Sequence, residues 1–293
     1  MCPVAARRQQ RRWNMPTEDL APRPPHELPR IPVALSTSSV YPLGVAEGFS
    51  IADDLGYDGV EVMVTHRNES QQASVLNELS WRFGLQVMAI HAPTLLLTQQ
   101  VWGSAWEKLQ RSAALAQEVG CGVVVAHPPF RWQVGYAEGF AEGIAKIEEE
   151  TGVLFAVENM YPWRAGGREA TMYLPHWDPV DQPYPHVTWD FSHAATAEAD
   201  SFEAVKALGQ RLRHVHLTDG WSNGFKDDHL IPGQGEQRVA EAMELLAQPD
   251  FAGDGFSGVV AVEVATRTAR NVGDRERWLA ESLAFARKHL GQE

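Results

Sequence analysis

Cysteine is nearly absent from this chain: Cys2 and Cys121 are the only two in 293 residues, too few for a disulfide framework. One falls in an arginine- and proline-rich tail and the other opens an apolar strand, a usage that fits a reducing cytoplasm. No apolar run approaches the roughly 20 residues that cross a bilayer, so no membrane segment is expected. The first thirty residues also lack the apolar centre of about 7–15 residues that a secretory signal requires. Positive charge is scarce. The net charge is −13, and residues 1–30 hold Arg7, Arg8, Arg11, Arg12, Arg23 and Arg30 against three acids, so residues 31–293 carry −16. A surface of that sign repels a phosphate backbone, and DNA is not expected as a partner.

The content that is present, 44% hydrophobic and 22% charged, is that of a globular protein. Residues 1–30 read as a flexible, disordered Arg/Pro-rich extension and residues 31–293 as one α/β domain, since α/β barrels run to about 250 residues. Short apolar runs alternate with amphipathic stretches. Strands are expected at Val33–Ser36, Gly59–Val64 with Glu61 inside it, Gln86–Ile90, Gly122–Ala126, Val153–Val157, Val187–Trp189, His214–Leu217 and Gly258–Glu263. Helices are expected near residues 48–55, 69–83, 101–119, 136–150, 201–208, 236–247 and 275–290. Eight strands alternating with helices predict a single (β/α)8 TIM barrel.

Six of the apolar runs end on a side chain that binds metals: His91, His127, Glu158, Asp190, His216 and Glu263. In a closed parallel barrel the C-terminal strand ends crowd onto one rim, so residues far apart in sequence could share a divalent ion. A histidine and carboxylate set without cysteine suits a catalytic site with open positions, holding zinc or manganese. Asp190 and His193 lie three apart at one strand end. Asp227 and His229 alternate in a loop and so face one way if it is extended. His214 and His216 share a strand face, and His216, nearer the rim, is the expected ligand, with His214 deeper in the core.

Two long stretches, residues 159–185 and 218–235, are expected as functional loops at the rim. From them Tyr161, Trp163 and Arg164, together with Trp102, are candidates to roof the cavity and contact substrate. Arg164, Arg168 and Lys226 are candidates to neutralise a phosphate or carboxylate. Gly233 and Gly235 would permit close backbone approach to a substrate.

On His91-Ala92-Pro93, His127-Pro128, Glu158-Asn159, Asp190 with His193, His216-Leu217-Thr218-Asp219, Asp227-x-His229 and Glu263, the chain resembles the xylose isomerase-like barrel superfamily over about residues 31–290. That superfamily holds sugar and sugar-phosphate isomerases and epimerases and the endonuclease IV enzymes. The resemblance implies that Glu158, Asp190, His216 and Glu263 hold one divalent ion. By analogy with endonuclease IV, it implies that His91 and His127 share Glu158 with a second ion, and that His193, Asp227 and His229 hold a third. The set departs from the nuclease in Pro93-Thr94-Leu95, which lacks an aromatic wedge for DNA. It departs from the epimerases in the stretch Gly220–Gly224, where a basic residue often follows the histidine.

The expected function is therefore a metal-dependent isomerase or epimerase of a small sugar, polyol or sugar phosphate, using one to three ions. Glu158, Glu263 and His193 would be catalytic, and Trp102, Trp163, Arg164 and Lys226 substrate-binding. The alternative is a multinuclear zinc phosphodiesterase. A homo-oligomer is compatible with either.

Overall fold

The computed structural model describes residues 30–94, 98, 100–165, 168–222 and 225–292. Apart from Arg30, the extension expected over residues 1–30, with Cys2, lies outside them. Eight parallel strands close into a barrel: β1 (Val33–Ser36), β2 (Gly59–Met63), β3 (Gln86–His91), β4 (Val123–Ala126), β5 (Leu154–Glu158), β8 (His186–Asp190), β9 (Leu212–Leu217) and β10 (Val259–Val262). A short antiparallel hairpin, β6 (Trp163–Ala165) and β7 (Arg168–Ala170), stands in the connection between β5 and β8. The barrel is the (β/α)8 architecture expected from the alternating pattern. Its strands are buried on both faces, which is why they read as near-continuous apolar runs rather than alternating ones.

The outer layer consists of α1 (Val45–Leu55), α2 (Ala73–Phe83), α3 (Ala105–Val119), α4 (Val134–Glu138), α5 (Phe140–Thr151), α6 (Phe191–Ala197), α7 (Ser201–Leu208), α8 (Val239–Ala247) and α9 (Val272–His289). Local signals set the bounds of α3. Ser104 and Glu107 form a reciprocal capping box at its start, and Gly120, at φ 74°, stops it in the left-handed region that disfavours other residues. One continuous cluster packs helices onto barrel, with Phe49, Leu76, Leu109, Ile144, Phe155 and Leu279 fully buried within it. Burial of such a side chain contributes about 1.5–3 kcal/mol.

Several expected helices change at their ends. The helix expected over residues 69–83 divides into a 3-10 turn (Asn68–Gln71) and α2, and the one over 136–150 divides at Gly139 into α4 and α5. Ser192 and His193, just past the end of β8, do not run on into a loop. Instead α6 starts immediately after β8, because Asp190 caps it: its carboxylate accepts from the His193 backbone N–H at 2.7 Å. Among the described residues, no helix is long and apolar enough to cross a membrane.

Candidate metal centre

The C-terminal ends of β3, β4, β5, β8, β9 and β10 bring His91, His127, Glu158, Asp190, His216 and Glu263 together, all buried. At the centre is one nitrogen. Nδ1 of His216 lies 2.9 Å from Oε1 of Glu158, 2.9 Å from Oε2 of Glu263 and 3.5 Å from Oδ2 of Asp190. An imidazole nitrogen carries at most one proton and cannot satisfy three carboxylates. Asp190 Oδ2 and Glu158 Oε2 are in fact left without a well-aligned hydrogen bond although buried. Donor atoms coordinated at about 2.0–2.2 Å around one ion stand roughly 3–3.5 Å apart, and these separations have that size. A divalent cation would neutralise the crowded carboxylates, so the four residues fit one.

The electrostatics follow from the crowding. Burial would push the Glu158 carboxyl up, but His216 and His127 hold it well below the usual range. Burial would lower the His216 imidazole, but Glu263, Glu61 and Glu158 raise it well above its ordinary value. In the ion-free protein a proton on His216 therefore supplies positive charge at this centre.

Two further donor sets adjoin the first. Nε2 of His91 and of His127 lie 3.3 and 2.9 Å from Glu158 Oε2. On the other side, Nε2 of His193 and of His229 lie 3.4 and 2.9 Å from Asp227 Oδ2. Three of these rings are fixed by the main chain. Nδ1 of His91, His193 and His229 sits 3.1, 2.9 and 2.7 Å from the carbonyls of Ala92, Asn159 and Glu263. A carbonyl only accepts, so each Nδ1 carries its proton and each Nε2 turns toward a carboxylate oxygen. Nitrogen and oxygen face each other there in the geometry of shared ligation, although a doubly protonated ring would also satisfy it.

The site depends on residues that the sequence pattern did not single out. Glu61, on β2 and fully buried, places Oε2 3.2 Å from Nε2 of His216 and 3.1 Å from Nε2 of His214. The pairing of β2 with β3 shifts register beside Glu61, and that of β8 with β9 shifts before His214. Such irregularities re-aim side chains. Ser38 donates to Glu263 Oε1 at 2.7 Å. Ser192, on α6, donates to Asp227 Oδ1 at 2.6 Å and accepts the His229 N–H at 2.9 Å. Asn159, already part of the Glu158-Asn159 motif, bonds both the N–H and the carbonyl of Asp190.

The expected substrate contacts are placed differently. Arg164 pairs with Glu169 and Glu198 and donates to the Thr196 carbonyl, Lys226 pairs with Asp228, and Arg168 lies exposed on β7. Trp102 packs against the main core, and Trp163 is partly exposed on the hairpin. Of the expected roof, Tyr161 reaches the centre, its ring 5.2 Å from that of His193. Gly233 and Gly235 approach a protein carboxylate rather than a substrate: their N–H groups donate to Asp219 Oδ2 at 2.9 and 3.0 Å.

Residues 49–289 match the family described as the xylose isomerase-like TIM barrel. The chain belongs to that family. An uncharacterized protein of Mycobacterium tuberculosis is 44% identical over 282 residues, covering 89% of this chain and 99% of the relative. Two solved structures share the fold. One, a D-tagatose 3-epimerase-like protein, has a TM-score of 0.62 at 22% identity, covering 88% of this chain and 99% of its own. The other, an IolI protein with a bound zinc atom, has a TM-score of 0.61 at 15% identity, with the same two coverages.

Proposed function

We propose that this xylose isomerase-like barrel is a divalent-metal-dependent isomerase or epimerase of a small sugar, polyol or sugar phosphate. The observation that carries the reading is the pair Glu158 and Glu263, each with a carboxylate oxygen 2.9 Å from His216 Nδ1. Around the barrel β10 lies on one side of β9 and β5 beyond β8 on the other, so the two carboxylates reach the centre from strands on different sides of β9. Epimerisation needs two such groups, a base on one face of the reacting carbon and an acid on the other. Glu158, Asp190, His216 and Glu263 would hold the ion. Zinc or manganese bound there supplies polarisation of a substrate carbonyl and compensates the negative charge that appears when the adjacent carbon loses a proton.

The chain's own groups do the rest. One of Glu158 and Glu263 takes the proton and the other returns it to the opposite face. His193, held at Nδ1 by the Asn159 carbonyl, presents Nε2 to the Asp227 carboxylate, and its ring lies beside that of Tyr161. The epimerase named for the D-tagatose-like neighbour and the zinc of the IolI neighbour agree with this chemistry. The test is solvent deuterium exchange into a panel of ketoses and ketose phosphates by zinc- or manganese-loaded protein. Exchange at the carbon beside the carbonyl is expected, and no exchange with any sugar overturns the reading.

A second reading, a multinuclear zinc phosphodiesterase, is favoured by the additional donor sets His91–His127–Glu158 and His193–Asp227–His229. The −16 charge of residues 31–293 opposes a DNA substrate. Three zinc ions per chain together with cleavage of an abasic duplex would replace the first reading by this one.

A further inference from the structure

Among the described residues, every exposed large apolar side chain except Trp81 lies in a connection leaving the C-terminal end of a barrel strand, or on the first residue of the helix that follows. Exposed apolar surface gathered around one mouth marks a binding surface. One part of it is built rigidly. Trp132 is 52% exposed, yet its ring lies flat on Phe130, with centroids 4.6 Å apart and planes 4° from parallel. Phe130 is buried against Tyr173 at 5.2 Å.

Phe130, Met160 and Tyr173 form an apolar cluster of their own, separate from the main core, with Met172 and Trp177 against it. The main chain ties the two connections together there. Phe130 and Tyr173 form an antiparallel bridge, Arg131 N–H donates to the Met172 carbonyl at 2.8 Å, and Leu174 N–H donates to the Pro129 carbonyl at 2.8 Å. This wall adjoins the metal centre, because Phe130 follows His127 by three residues and Met160 follows Glu158 by two. Three residues span at most about 10 Å.

We propose that Trp132, held flat by Phe130, is the floor of a carbohydrate subsite beside the metal centre, and that the substrate is a neutral sugar bearing a second ring, a glycoside. The proposal rests on the epimerase reading and narrows it. A pyranose ring presents an apolar face of C–H groups, whose hydrogens meet the negative face of an indole. An indole fixed in advance binds such a face without losing rotamer freedom. Charge points the same way. Of the three cations expected to grip a phosphate, Arg164 is paired with Glu169 and Glu198 and Lys226 with Asp228, Arg168 lies exposed on the hairpin, and the barrel is acidic.

Calorimetric titration of the full-length protein with cellobiose, maltose, sucrose, trehalose, glucose and glucose 6-phosphate tests this. At least one disaccharide is expected to bind more tightly than glucose and glucose 6-phosphate. Trp132→Ala is expected to cut that preference about tenfold and Trp132→Phe to keep most of it. Trp132 is half-exposed, and an unchanged thermal midpoint in both variants would assign the loss to the subsite. The proposal is overturned if glucose or its phosphate binds as tightly as every disaccharide, if no disaccharide binds, or if Trp132→Ala leaves the preference intact. Calorimetry needs no turnover, so the two readings fail separately. A disaccharide held through Trp132, with no deuterium exchange into any sugar of the ketose panel, supports the subsite and sinks the epimerase reading. Exchange into ketoses without disaccharide binding does the reverse.

Discussion

Glu61 accepts from Nε2 of His216 at 3.2 Å, so the proton of that ring nitrogen is held on the side away from the three carboxylates. Nδ1 is thereby left as the atom that faces Glu158, Asp190 and Glu263. A carboxylate behind a ligating histidine fixes its tautomer and orientation and makes it more basic.

Removing that support should weaken ion binding. Glu61→Ala is expected to lower zinc or manganese affinity by about 10–100-fold, measured by competition with a chromogenic chelator. Glu61→Gln keeps an acceptor for the His216 proton and is expected to lose less. Equal losses in the two variants would mean that Glu61 acts through its charge and not by orienting the ring.

The strand-end residues were legible because a parallel strand is an apolar run and a polar residue closing it stands out. Glu158, Asp190, His216 and Glu263 meet in space as that pattern implied. Glu61 carries no such mark: it lies in mid-strand, flanked by Val60 and Val62, and only the closed barrel brings it to His216. Ser192 was hidden for a different reason. The seven residues of α6 are too few to show a helical period and all are buried, so the turn that directs Ser192 at Asp227 left no amphipathic trace. Arg164 and Lys226 stand out in sequence by their charge and their place in long rim loops, and sequence does not reveal that Glu169, Glu198 and Asp228 lie within reach.

Glu158 and Glu263 should respond alike in chemistry. In Glu158→Gln and Glu263→Gln each side chain keeps its size but cannot take up a proton. Each variant is expected to lose deuterium exchange by at least about 100-fold, the usual contribution of general acid–base catalysis. If one variant still washes deuterium into the substrate without forming the epimer, its partner is the base that removes the proton.

Ion binding should be linked to pH with a definite sign. Glu263, Glu61 and Glu158 keep His216 protonated well above the ordinary range, against the opposing effect of burial. An ion ligated at Nδ1 must displace that proton, so affinity is expected to rise as pH increases from 6 to 8. Calorimetry in two buffers of different ionisation enthalpy should report about one proton or more released per ion, and pH-independent affinity would contradict the displacement. With the ion at about 100 times its dissociation constant, stability should rise by about 2.7 kcal/mol, which a chelator reverses.

The loop that carries Asp227 and His229 is pinned by Asp219, whose carboxylate accepts from the N–H groups of Gly220, Gly233, Gly235 and Gln237. A methyl group on residue 235 would lie 2.3 Å from Asp219 Oδ1 and 2.4 Å from the Gly220 carbonyl, so neither the carboxylate nor the backbone leaves room for it. Gly235→Ala must displace the loop, at a cost of about 1–3 kcal/mol for overpacking. Displacement there should act on the outer donor set His193–Asp227–His229 and spare Glu158, Asp190 and His216, which lie on barrel strands, and Glu263, whose N–H bonds the Leu217 carbonyl of β9. The expected result is a lower thermal midpoint and fewer ions bound per chain, with one tightly held ion retained in metal analysis. Loss of every ion in Gly235→Ala would mean that the loop supports the central four ligands as well.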